Sequence, residues 1–157
     1  VVGQIGMGQH GTAFAHAGMR MGPAICYEGL YGDFYGDFVR RGAQFMAIIS
    51  NDGWWGDTPG YKHLFTISRL RAIEHRRAIA RSANTGMSGF ISARGDIGET
   101  LGWEKRGVIS AAVPLNSELT FYTRYGDYLG RISEYLTLLC VLYYIAYRVK
   151  RKNYLVK

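Results

Sequence analysis

Cys26 is the residue best placed to do covalent chemistry. It stands at the end of a short apolar run, Pro23-Ala24-Ile25, and is followed by Tyr27, Glu28 and Gly29. A strand-to-turn junction holds a side chain rigidly and exposes it at a sheet edge, which suits a nucleophile. The alternative is a small buried hydrophobe, the commonest state of a single cysteine. A reactive thiol also needs a base or cation nearby. Glu28 is a carboxylate within reach, but no cation is close in the chain. The other cysteine, Cys140, lies in a different context, so a disulfide framework is not expected.

Further polar groups gather in two stretches. Ser50-Asn51-Asp52-Gly53 forms a turn signal and leads into the aromatic loop Trp54-Trp55-Gly56-Asp57-Thr58-Pro59-Gly60. The two indoles read equally as a packed cap on a turn or as an apolar binding surface. Arg69, Arg71, Glu74, His75, Arg76 and Arg77 follow in one helical stretch. Arg71, Glu74 and Arg77 fall three apart, a spacing that permits local ion pairs, and a solvated face is expected for Arg76 and Arg77. His63 has no Cys, His or carboxylate partner at metal spacing, so no metal is expected.

The elements that must carry these residues follow from periodicity. Residues 12–15 read as a strand with a turn near Gly18, and 23–26 as a buried strand. Residues 34–41 form a short helix closed by Gly42, and 45–49 a continuous apolar strand. Residues 61–77 form a helix with Leu64, Ile67, Leu70 and Ile73 or Glu74 on one face. Residues 78–83 form a strand. Residues 88–92 and 98–101 make a hairpin about Arg94-Gly95-Asp96, and 107–113 a last strand stopped by Pro114. Strands and helices in this order make an α/β fold.

Residues 135–147 are uncharged and apolar, but as a helix they span only about 20 Å. Extending the helix to 132–149 gives roughly 27 Å, near the thickness of a bilayer core. Tyr143, Tyr144 and Tyr147 would then form an aromatic belt beside Arg148, Lys150, Arg151 and Lys152. Five of the nineteen basic residues lie in 148–157, whereas all twelve acids lie at or before Glu134. The net charge of +7 is therefore a membrane flank rather than a nucleic-acid footprint. The positive-inside rule places the tail in the cytoplasm and the body on the outer side. Residues 1–125 are expected to form the catalytic part, and 126–157 a transmembrane helix with a basic tail.

Four motifs in order resemble the nitrilase superfamily. Pro23-Ala24-Ile25-Cys26-Tyr27-Glu28 is similar to its nucleophile segment. Ile48 to Asp57 is similar to its loop after the next strand. His63 and Arg69-Leu70-Arg71-Ala72-Ile73-Glu74 are similar to its following helix. Arg81-Ser82-Ala83-Asn84-Thr85-Gly86 is similar to its next strand and turn. Within the superfamily, the tryptophan loop and Thr120 to Asp127 directly before the apolar run most resemble the apolipoprotein N-acyltransferases.

The resemblance implies part of a nitrilase-type α-β-β-α sandwich followed by a C-terminal transmembrane helix. It implies Cys26 as nucleophile of a Glu-Lys-Cys triad. The Glu and the Lys would lie before Val1, so the 157 residues alone are expected to be inactive. Tyr27 is expected to supply an oxyanion-stabilising N–H. Glu28 and Glu74 would support the site, and Trp54 and Trp55 would shape lipid entry. The implied partners are a phospholipid acyl donor, a diacylglyceryl-modified apolipoprotein acceptor and the bacterial inner membrane, with the catalytic part on the periplasmic side. No cofactor and no nucleic acid are implied. Two other readings stay open: an amidase using the same cysteine on a small amide, and a non-catalytic fragment.

Overall fold

The computed structural model describes residues 10–155. The chain divides into two compact units, Val1–Gly126 and Asp127–Lys157.

In the first unit, strands β1 (Phe14–His16), β2 (Met19–Ile25), β3 (Phe45–Ser50), β4 (Ile79–Ala83), β5 (Ser88–Ile91) and β6 (Ile97–Leu101) form one mixed sheet in sequence order. β2, β3 and β4 run parallel; β1, β5 and β6 are added antiparallel. The parallel pairs are joined by helices α1 (Gly32–Arg40) and α2 (Pro59–His75). Right-handed crossovers in consecutive steps put both helices on one face of the sheet. Ala24, Met46, Ile48, Ile79 and Ile91 point to that face and pack with Phe38, Val39, Phe65 and Ala72 in the core.

The opposite face carries no helix among the described residues, and the loop at 107–114 borders it. Pro23, Ala47, Ala80 and Phe90 lie in register across it, and on the next row Ile25 and Ile49 are 60% and 57% exposed. This is one helix-covered half of the sandwich expected from the sequence.

α1 ends as its sequence requires, with Gly42 at φ +96° following Arg41. α2 begins at Pro59 behind Thr58, whose Oγ1 accepts from the Gly60 N–H. Its buried stripe differs from the expected one. Tyr61, Leu64, Phe65, Ser68, Arg71, Ala72 and His75 face inward, whereas Leu70 and Ile73 are 46% and 41% exposed. An apolar pattern does not find this stripe, because three of its members are polar and become buriable only through their hydrogen bonds.

Arg77 is the plainest departure. It is buried, not solvated. Its Nε donates to the Ala43 carbonyl at 2.7 Å, and Nη1 to those of Glu118 (2.9 Å), His75 (3.1 Å) and Arg76 (3.2 Å). Arg76 closes α2 in the left-handed region, turning carbonyls toward this guanidinium. Burial pushes the Arg77 pKa down from its ordinary value.

Residues 107–113 form no strand. Their β-branched composition fits one, but Val108 is 96% exposed and no ladder joins the segment to β6. A short helix, α3 (Phe121–Tyr125), follows and ends at Gly126.

The second unit is one helix, α4 (Tyr128–Leu155). It starts seven residues before the uncharged run. The apolar window is therefore the 21 residues Tyr128–Arg148, long and apolar enough to cross a membrane, with none of it buried. At 1.5 Å per residue that is about 32 Å. Its serine and threonine hydroxyls are satisfied within the helix: Ser133 donates to the Leu129 carbonyl and Thr137 to that of Ser133. Arg148 lies over the Tyr144 ring.

Candidate functional site

The parallel strands β2, β3 and β4 end at the same edge. Ile25 pairs with Ile49, and Ile49 with Ser82. Cys26 is one residue beyond that rung, level with the ends of β3 and β4. Open α/β sheets bind ligands at this carboxyl edge.

At Cys26 the chain leaves the strand abruptly. Its φ is +51°, in the left-handed region, and residues 26–30 form a 3₁₀ turn. A side chain other than glycine pays about 1–2 kcal/mol to stand there. Glu28 secures the turn: its Oε2 accepts from the Ile25 N–H at 2.7 Å. The carboxylate thus grips the backbone on the other side of the cysteine. Tyr27 lies in the first turn of this segment, where amide hydrogens lack intrahelical acceptors. The far end of the turn is held from α2. Arg71 donates from Nη1 to the Leu30 carbonyl at 3.1 Å and from Nη2 to Glu74 Oε1 at 2.9 Å. Glu74 therefore reaches the Cys26 turn through Arg71.

The next loop is built on a buried ion pair that sequence reasoning missed. Arg81 faces the helix side of β4, in line with Ile48 of β3. Its Nη2 meets both carboxylate oxygens of Asp52, at 2.9 and 2.8 Å, and its Nε donates to the Met87 carbonyl. Ser50 donates to Asp52 Oδ1 at 2.5 Å. The side chains of Arg81 and Asp52 are 2% and 0% exposed. Gly86 completes the fit, because a Cβ there would collide with the Asp52 carboxylate. Asp52 opens the short helical turn Asp52–Trp55, so this pair sets where the tryptophans stand. Trp55 lies against Gly60, whereas Trp54 is 82% exposed and caps nothing. The packed-cap reading therefore fits Trp55 in part and Trp54 not at all. His63 is exposed on α2.

Behind Arg71, His75 is enclosed among Tyr35, Tyr122 and Thr123. Its ring stacks on Tyr35 and meets Tyr122 edge-on, and Nδ1 is 2.9 Å from Thr123 Oγ1. Burial, then the charge of Arg71, lowers its pKa to about 4. The unfolded imidazole titrates near 6.5. Between these values the unfolded state binds more protons, so stability is full above about pH 6.5 and falls as pH drops toward 4. The total loss is about 3 kcal/mol. Urea midpoints measured from pH 7 to 4 should show this slope, and His75→Gln should flatten it. An unchanged slope in the variant would assign the acid sensitivity to other groups.

The carbon-nitrogen hydrolase family profile matches residues 4–119. The chain belongs to the carbon-nitrogen hydrolase family. Among curated proteins, it is 45% identical over 109 residues to an apolipoprotein N-acyltransferase of Chlorobaculum tepidum, covering 69% of this chain and 20% of that protein. It is 42% identical over 97 residues to one of Rhizobium meliloti, covering 62% and 18%. The chain thus spans about a fifth of the length of these relatives. Solved carbon-nitrogen hydrolase folds match as well. A Saccharomyces cerevisiae member of branch 10 of the nitrilase superfamily aligns with TM-score 0.57 at 20% identity, over 65% of this chain and 40% of that one. An amidase from Nesterenkonia sp. AN1, carrying acrylamide at its active-site cysteine, aligns with TM-score 0.52 at 19% identity, over 64% and 41%. These structural likenesses establish the fold of a carbon-nitrogen hydrolase and leave the chemistry to the residues described above.

Proposed function

We propose that this chain is part of a membrane-bound acyltransferase. It moves a fatty acyl group from a phospholipid, through a thioester on Cys26, to the amino group of a lipidated apolipoprotein. The observation that carries the reading is the placement of Cys26. A cysteine held at positive φ, at the carboxyl edge of parallel strands, is maintained in a carbon-nitrogen hydrolase domain at a cost in backbone energy. The apolar helix α4 supports a bilayer-confined substrate, and the likeness to apolipoprotein N-acyltransferases supports the acceptor.

In the first step the Cys26 thiolate attacks the ester carbonyl carbon. The Tyr27 N–H receives the developing oxyanion. The C–O bond breaks, the lysophospholipid oxygen takes a proton from the general acid, and the thioester remains. In the second step the acceptor amine attacks the thioester. The amide forms, the amine's proton passes to the base, and the thiolate is released. Glu28 and Glu74 hold the turn rather than move protons, one from Ile25 and the other through Arg71 and Leu30. The base and the lysine beside the oxyanion come from other parts of the full-length protein. Trp54 and Trp55 form the apolar lip, the catalytic part lies on the periplasmic side, and the basic end of α4 faces the cytoplasm.

The test is mass spectrometry of Cys26 in the full-length membrane protein, incubated with phospholipid and no acceptor. A hydroxylamine-sensitive gain of one fatty acyl chain on Cys26 is expected. A folded protein with unmodified Cys26, turning over a small amide instead, would move the assignment to an amidase.

A further inference from the structure

The carboxyl edge of β4 carries a second feature that the acyl-transfer steps do not use. A hollow of about 430 Å3 opens there, with Asn84, Thr85, Ser88, Glu104, Lys105 and Arg106 among its lining residues. Its cationic side is a built loop. Glu104 adopts φ +51°, and its N–H donates to the Thr85 carbonyl at 2.8 Å. Lys105 N–H closes the turn on the Gly102 carbonyl, and Trp103 packs on the buried Tyr61 ring of α2. The loop is therefore fixed at both faces, and a non-glycine residue is kept in the left-handed region to present the two cations. Neither Lys105 nor Arg106 is engaged by an acid among the described residues. Ser82 and Ala83 tie the hollow to the rungs that end at Cys26, about 10 Å away across two strands. Against Glu104, the two cations leave the lining one positive charge in excess.

We infer that this hollow binds a phosphate group bearing a single negative charge. The phosphodiester of the donor lipid's headgroup is the source that fits its distance from Cys26. Lys105 and Arg106 supply charge-assisted donors, and Asn84 and Thr85 supply neutral ones. A phosphate seated there orients the glycerol backbone so that an ester carbonyl reaches the thiol. This inference rests on the acyl-transfer reading, and its test separates the two.

The experiment compares full-length wild type with the double variant Lys105→Gln/Arg106→Gln, using a phospholipid and a p-nitrophenyl acyl ester that has no phosphate. The two side chains are exposed, and thermal unfolding checks that the variant is folded. The expected result is a KM for phospholipid raised roughly 10-fold or more, with kcat retained and Cys26 acylation from the p-nitrophenyl ester unchanged. Unchanged KM for both donors, or an equal loss with both, would overturn the headgroup assignment. Inorganic phosphate, titrated against Trp103 fluorescence, is the second arm. Saturable binding lost in the variant, with phospholipid KM unchanged, assigns the hollow to free phosphate. No phosphate response together with an unchanged phospholipid KM removes the site altogether. Should wild type acylate Cys26 from neither donor, the acyl-transfer reading fails, and the phosphate titration still decides whether the hollow binds phosphate.

Discussion

Cys26→Ala in the full-length protein is expected to reduce acyl transfer by roughly 10⁴-fold or more, the scale on which enzymes lose rate when a covalent nucleophile is removed. Release of lysophospholipid is the direct readout. The fold should survive the change. Alanine carries the same Cβ into the same positive φ, so the backbone penalty is neither added nor relieved. The turn keeps its two external holds, Glu28 on the Ile25 N–H and Arg71 on the Leu30 carbonyl. A melting temperature within a few degrees of wild type would therefore accompany lost activity. Substantial turnover by the alanine variant would place the nucleophile elsewhere and remove the thioester from the mechanism.

The second large effect is on stability. Asp52→Ala leaves the Arg81 guanidinium buried with its carboxylate gone, and the expected cost is about 3–5 kcal/mol. Arg81 and Asp52 were both taken out of water, and their paired geometry offsets that cost. Removing one partner leaves the whole desolvation penalty of the other. The double variant Asp52→Leu/Arg81→Met, which removes both charges at similar volume, should recover most of the loss. Urea unfolding of the single and double variants, followed by tryptophan fluorescence, measures both. Equal destabilisation by the two would mean that shape, not charge pairing, dominates at this position. Acyl transfer should fall in the single variant even where it remains folded, because Asp52 begins the turn that carries Trp54 and Trp55.

The sequence carried the strand ends well and the buried charges poorly. The apolar run before Cys26, the strand at 45–49, the Gly42 cap and the 88–101 hairpin are written in local patterns: alternation, turn residues and a glycine where φ must be positive. They appear in the structure within a few residues. Arg77 and Arg81 were different. A pattern reading sends arginine to solvent, and what buries each of these lies far along the chain. Asp52 is 29 residues from Arg81, and Ala43 and Glu118 are 34 and 41 from Arg77. The inward stripe of α2 was misassigned for the same reason, since Arg71 and His75 take buried places through partners on other elements. The strand expected at 107–113 failed in the opposite direction: its composition suits a ladder, but among the described residues it forms none and Val108 stands 96% exposed. The strand-to-turn junction at Cys26 was legible from the apolar run before it and the Tyr27-Glu28-Gly29 turn after it. The Asp52–Arg81 pair was visible only as a turn residue and a strand residue, with nothing local to join them.

The positive φ at Cys26 also bears on how this position would drift if stability alone were selected. Glycine occupies the left-handed region without a Cβ penalty, so Cys26→Gly is the substitution the backbone favours. A laboratory screen that rewards heat resistance but not turnover would accumulate it, and each survivor would be a sturdier protein without the thiol. On the proposed mechanism, selection for turnover opposes that pull, which makes codon 26 a sensor: in a population freed from the need for the reaction, it should be among the early positions to change.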